Sequence, residues 1–273
     1  MKSRCQFFRW RGVPVTLARM LLLFGSAGWA SDFDLSLKGN WPNYAGGSAI
    51  AVAITNGYGY VADGNAGLHV IDISSTANPQ RVGGYIASGY AYGVVVAGNY
   101  AYVAHGPAGL QIIDIRNPAN PQQVGGYDTS GRAWGVAVSG NAIYVADGDA
   151  GLQVIDLGRP ANPQWAGGYK TNGLPSELAI SGNYAYVVGD ATGLQIIDIS
   201  NAAKPLRVGG YGTGTYTRAV AVSGRYAYLA SDGGLAVIDI SSPANPQRVG
   251  GYSNGFGPRD VAVSGHYAYL ADS

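Results

Sequence analysis

The most varied chemistry in this chain sits ten residues ahead of a recurring tyrosine, at Ile50, Tyr92, Trp134, Ser176, Arg218 and Arg259. The residues immediately after these are Ala51, Gly93, Gly135, Glu177, Ala219 and Asp260. A second polar set follows the same tyrosines: Asp63, His105 and Asp147, with Asp149, Asp190, Asp232 and Asp272 in the corresponding stretches. Indole and phenol rings offer stacking surfaces, and guanidiniums pair with carboxylates or phosphates. A histidine among carboxylates is the material of proton transfer. If the two sets share one face, they form either a recognition surface for a polar or anionic partner or a proton-transfer site.

Other sequence features are weaker. Asp72, Asp114, Asp156, Asp198 and Asp239 recur once per unit ahead of a proline-containing loop. That equivalence favours acceptance of turn hydrogen bonds over catalysis or metal binding. The run Asp147-Gly148-Asp149-Ala150-Gly151 resembles a calcium loop in composition, but it lacks the closing bidentate glutamate. His69 falls in a strand-like run and His266 in a turn, and no His or Cys cluster suits a transition metal. Neither a Gly-x-Ser-x-Gly elbow nor a phosphate loop occurs. No cofactor is expected.

The elements that must position these residues are legible in a repeat. Gly109-Leu110-Gln111-Ile112-Ile113-Asp114-Ile115, then Asn120-Pro121-Gln122, then Gly125-Gly126-Tyr127 has four further copies, and the closing tyrosines Tyr85, Tyr127, Tyr169, Tyr211 and Tyr252 lie 42, 42, 42 and 41 residues apart. A period in this range marks a solenoid, propeller or array. Each unit reads as four short strands. In the second, Val94-Val95-Val96-Ala97 and Tyr100-Ala101-Tyr102-Val103-Ala104 flank a Gly98-Asn99 hairpin turn, and two more runs follow. Glycine and proline about every ten residues leave no room for helices. Four strands per unit of about 42 residues predict the antiparallel blade of an all-β propeller.

Five complete units (44–85, 86–127, 128–169, 170–211 and 212–252) and a partial sixth (253–273) are expected, within one domain over 31–273. Small residues in the first strand of each unit suit an innermost position. Paired tyrosines such as Tyr100 and Tyr102 are placed to fill the wedge between blades, their hydroxyls reaching towards a rim partner. Residues 35–41 align with an outer strand. The chain stops just after a second strand, which fits either a ring closed by pairing its first and last segments with one strand missing or a chain cut short, and the unpaired edge favours truncation.

Residues 1–30 have another character. Lys2, Arg4, Arg9, Arg11 and Arg19 precede Met20-Leu21-Leu22-Leu23-Phe24, and Gly28-Trp29-Ala30 supplies small residues for cleavage, so a signal peptide ending at Ala30 is predicted. The apolar run is too short for a membrane span of roughly 20 residues. Removing the leader leaves 12 basic and 16 acidic residues, about −4, which disfavours nucleic acid as a partner. Cys5 leaves too, so no disulfide is expected. Periplasmic, cell-surface or secreted location follows.

The segments Leu68-His69-Val70-Ile71-Asp72, Leu110-Gln111-Ile112-Ile113-Asp114, Leu152-Gln153-Val154-Ile155-Asp156 and Leu235-Ala236-Val237-Ile238-Asp239 resemble the LVIVD repeat, as do the preceding Tyr-Val-Ala-Asp-Gly and the following Asn-Pro. That resemblance covers nearly all of the chain after the leader. It implies a β-propeller in an exported or surface protein and brings no catalytic residues with it. Ala203-Lys204-Pro205 and a fifth unit one residue short depart from the pattern.

The reading that results is a non-enzymatic exported propeller binding a protein or a glycan through Tyr92, Trp134, Glu177, Arg218, Arg259, Asp260, Asp63, His105 and Asp147. A propeller enzyme of lyase, hydrolase or quinoprotein type, using His105, Arg218, Arg259 and the rim carboxylates, is the alternative. Against it, the connecting loops barely vary in length.

Overall fold

Alternating β-branched and aromatic residues between glycine turns give strands of five to seven residues. The computed structural model describes residues 6–7, 47–86, 89–253, 255 and 257–271. Blade 1 is Ala51–Thr55, Tyr58–Ala62, Leu68–Asp72 and Gln80–Tyr85, and blade 2 is Gly93–Ala97, Tyr100–Ala104, Leu110–Asp114 and Gln122–Tyr127. Blade 3 is Gly135–Ser139, Ala142–Ala146, Leu152–Asp156 and Gln164–Tyr169. Blade 4 is Glu177–Ser181, Tyr184–Gly189, Gly193–Asp198 and Leu206–Tyr211, and blade 5 is Thr217–Ser223, Tyr226–Ser231, Gly234–Asp239 and Gln247–Tyr252. Each is a four-stranded antiparallel meander in sequence order.

A sixth sheet pairs Asp260–Ser264 with Tyr267–Ala271, and Gln6–Phe7 lies parallel to Tyr269 and Leu270 there. Apart from Gln6–Phe7, the leader and the 35–41 segment fall outside the described residues, as does Asp272.

The first strands of successive blades pack on one another, as their small residues predict. Apolar clusters then bridge neighbouring blades. Tyr60, Leu68 and Val70 pack with Val94, Val103 and Ile113, while Tyr144, Leu152 and Val154 pack with Leu178, Val187 and Ile197. The second-strand tyrosines Tyr60, Tyr102, Tyr144 and Tyr186 are buried in these wedges, Tyr228 and Tyr269 are half-buried, and the first tyrosines of the pairs, such as Tyr58, Tyr100 and Tyr184, stay half-buried. Val94, Val136, Leu178, Val220 and Val261 are at most 9% exposed on this packing face, whereas the equivalent Val52 is 43% exposed. Among the described residues, therefore, nothing covers that face of blade 1.

The repeated aspartates behave as turn acceptors. Backbone N–H groups of Ser74, Arg116, Gly158, Ser200 and Ser241 donate to Asp72, Asp114, Asp156, Asp198 and Asp239 at 2.8–2.9 Å. Arg225 and Ser241 hold the Asp239 carboxyl down at about 2. The Asn-Pro-Gln step has its own logic: Gln80, Gln122, Gln164 and Gln247 each donate a side-chain N–H to the asparagine two residues earlier. In every complete blade the outer strand carries one extra residue against the third strand, a bulge between Val70 and Ile71 in blade 1 and its counterparts elsewhere. Such a bulge increases local twist.

Candidate functional site

The two divergent residue sets do meet on one face. The connection entering each blade lies across the turn between that blade's second and third strands: a Cβ placed on Gly89 would stand 2.6 Å from His105 Nδ1, and one on Gly131 2.7 Å from Asp147 Oδ2. The turn of one blade also pairs with the connection of the next, Gly64 with Ala91 and Gly106 with Ala133.

On the rim, residues two apart stack in pairs because they point the same way from an extended backbone. Tyr90 and Tyr92 have ring centroids 4.6 Å apart, and Tyr92 continues to Trp134 at 4.2 Å. The Arg132 guanidinium sits 5.6 Å over the Trp134 ring, and that of Arg218 sits 4.9 Å over Tyr216. Arg218 also reaches Asp232 Oδ1 at 2.5 Å. Tyr216 and Leu174 are exposed apolar groups on the same rim. Tyr90, Arg132, Leu174 and Tyr216 escape a reading that compares only one column of the repeats. Their signal was the alternation itself: each stands two residues before Tyr92, Trp134, Ser176 or Arg218.

Nearer the axis, Glu177 and Asp260 each fold back to accept the next backbone N–H of their own inner strand, from Leu178 at 2.9 Å and Val261 at 2.7 Å. Burial pushes the Glu177 carboxyl up to about 7, with the neighbouring Asp260 adding to the rise and the Leu178 N–H opposing it. Asp260 moves upward as well, through desolvation of its carboxyl among the inner strands, although much of the residue stays open. Gly135 is what lets Glu177 approach, since a Cβ there would lie 3.0 Å from Glu177 Cα. Arg259 is exposed beside Asp260.

Asp63, His105 and Asp147 are not open to a ligand at the rim. They are 5%, 2% and 0% exposed, each covered by a glycine of the incoming connection, Gly47, Gly89 or Gly131. Asp63 Oδ2 lies 3.2 Å from His69 Nε2, and Arg81 Nε donates to His69 Nδ1 at 2.7 Å. Burial and then Arg81 lower the His69 pKa, and Asp63 opposes them. Thr129 Oγ1 donates to Asp147 Oδ1 at 2.6 Å, while Asp147 Oδ2 is buried without a hydrogen bond. Both nitrogens of His105 are buried and, among the described residues, without a hydrogen-bond partner. The set therefore splits into an outer group (Tyr92, Trp134, Arg218, Arg259), an axial pair (Glu177, Asp260) and a buried row beneath. Among the described residues no three His, Cys, Asp or Glu gather as a metal site, and no helix is long and apolar enough to cross a membrane.

Blades of four antiparallel strands, packed inner strand to inner strand with divergent residues collected on one face, define a β-propeller-like repeat protein. The chain belongs to the LVIVD repeat family, whose model matches residues 46–86, 88–129, 130–171, 172–213, 214–254 and 258–273. Similar solved structures share the fold. A protein from Lactobacillus plantarum superposes with a TM-score of 0.68 at 14% identity, over 78% of this chain and 74% of that one. The computationally designed Ika8 protein gives 0.64 at 13% identity over 82% and 68%, and a functionally unknown protein from Desulfotomaculum acetoxidans DSM 771 gives 0.63 at 17% over 76% and 72%. Among curated proteins none matches the chain.

Proposed function

We propose that this chain is a non-enzymatic binding module, exported to the periplasm or cell surface, which recognises a glycan or protein through the rim of the described face. The observation that carries this is the run of half-exposed rings Tyr90–Tyr92–Trp134. It stands where otherwise faithful repeats diverge. Aromatic rings held on short loops over a rigid scaffold offer contact area at low entropic cost. The burial of His105, Asp63 and Asp147 favours binding over catalysis, since the groups best suited to proton transfer lie beneath the surface. The leader and the mature charge of about −4 support export and a partner other than nucleic acid.

The test is a glycan and protein binding screen with the mature chain, followed by replacement of Trp134 and Arg218 together by alanine. Affinity for any ligand found should fall by about 10-fold or more, on the scale of losing one stacking anchor and one charged contact. Unchanged affinity in a variant that unfolds like the wild type would sink the assignment.

A further inference from the structure

His105 differs from its two counterparts. Asp63 has His69 beside it and Asp147 has Thr129, but the His105 ring, at the same place in blade 2, has no hydrogen bond to either nitrogen. Its backbone is fixed: the N–H donates to Gly109 O at 2.8 Å, and its carbonyl accepts from Ala108 N at 3.1 Å. Gly89 closes over the ring, close enough that a Cβ would touch both Nδ1 and Cε1. The next residue is Tyr90, the start of the aromatic run, and Gly106 lies under the Tyr92 ring.

We propose that His105 is an acid-sensitive device under the recognition face, whose protonation dislodges Gly89 and Tyr90 and breaks the Tyr90–Tyr92–Trp134 run. A neutral imidazole can be buried without partners at some cost. An imidazolium adds a second donor and a full charge, and a buried unpaired charge is far more costly. Among the described residues the surrounding elements provide no compensation. The titratable groups on them are the phenols of Tyr90 and Tyr92, Arg132 stacked on Trp134, Asp63 turned to His69, and Asp128, whose carboxylate accepts from the Ser130 N–H of its own loop. Each carboxylate among them is thus engaged away from the ring. Burial accordingly holds the His105 pKa below its ordinary value, opposed only by its own backbone carbonyl. A folded-state pKa below the unfolded one makes this contribution to stability full above the unfolded value near 6.5, and lost as pH falls through the folded value. The route for the charged ring to water is past Gly89, so the strain falls on the segment bearing the stacked rings.

The device belongs to the free protein, and only its consequence for binding rests on the recognition reading. It is tested by NMR titration of the mature chain from about pH 7.5 to about pH 5, a window set by imidazole ionisation. The His105 ring resonance is assigned with His105→Asn and the Trp134 indole N–H with Trp134→Phe. The expected result is a shift of the Trp134 indole with the same midpoint as His105, below the ordinary histidine value. Because the Asp147 carboxyl titrates in the same window and Gly148 lies beside Trp134 Nε1, the comparison is made in the Asp147→Asn background, where the shift should be kept, and lost when His105→Asn is added. A Trp134 shift that survives His105→Asn in that background, or a His105 titration that leaves Trp134 unmoved, would overturn the proposal. Should the double variant fail to fold, agreement or disagreement of the two midpoints in Asp147→Asn decides alone.

Discussion

Gly125→Ala is expected to destabilise the protein by about 2 kcal/mol, while Gly250→Ala should change stability by no more than about 0.5 kcal/mol. The two glycines occupy the same place in the Gly-Gly-Tyr segments of blades 2 and 5. Neither takes a positive φ, so alanine fits the backbone at both. They differ in what lies beyond. A Cβ on Gly125 would press into the carbonyl oxygen of Pro160, in the loop between the third and fourth strands of blade 3. Gly83, Gly167 and Gly209 meet Pro118, Ala202 and Pro243 of their following blades in the same way. Among the described residues a Cβ on Gly250 would find only Val237 Cβ of its own blade, at 3.9 Å. Backbone cannot yield as a flexible side chain can, so the clash at Gly125 must separate two blades. At Gly250 the alanine instead narrows the unfolded ensemble, a small gain. Urea unfolding of the two variants reads the contrast, and equal losses would show that this glycine serves its own blade rather than the joint between blades.

That contrast also shows what a repeat reveals and what it conceals. The period, the strand order, the Gly98-Asn99 type of hairpin and the turn role of Asp72 and its counterparts were legible because each depends on neighbours in sequence. Gly-Gly-Tyr could be recognised as scaffold, but the reason for its first glycine could not, because the partner carbonyl belongs to the next blade about 35 residues on. The site was legible in outline. Tyr92, Trp134, Glu177, Arg218, Arg259 and Asp260 share a face because each stands where a blade begins, one four-stranded repeat after the last. Depth was not legible. Asp63, His105 and Asp147 looked like rim residues by their polarity, yet they are roofed by Gly47, Gly89 and Gly131, which themselves recur every 42 residues. A glycine conserved in register opposite a polar position was the available sign that something must fit beneath it. The aromatic run was half-read, since Tyr90 and Arg132 became visible only when alternate residues along one strand were taken together.

The second large effect concerns Asp147, where burial and pH act in opposition to His105. The residue is fully buried, with one oxygen satisfied by Thr129 and the other by no hydrogen bond, and burial pushes its pKa up to about 6. The Thr129 hydroxyl pulls it down, and Asp128 adds a smaller rise. The folded value thus exceeds the ordinary one of 3.8. The fold prefers the protonated form, so this group's contribution is fully present below the unfolded pKa and is lost as pH rises through about 6. Asp147→Asn removes the ionisation while keeping the shape. Its stability relative to the wild type should therefore be more favourable at about pH 7.5 than at about pH 5, by roughly 1 kcal/mol. Taking the difference between variant and wild type at each pH cancels His105 and Glu177, which titrate in both proteins. Denaturation at the two pH values measures it directly. A pH-independent difference would mean that water reaches the Asp147 carboxylate past Gly131, and the buried row under the divergent rim would then be wetter than its packing implies.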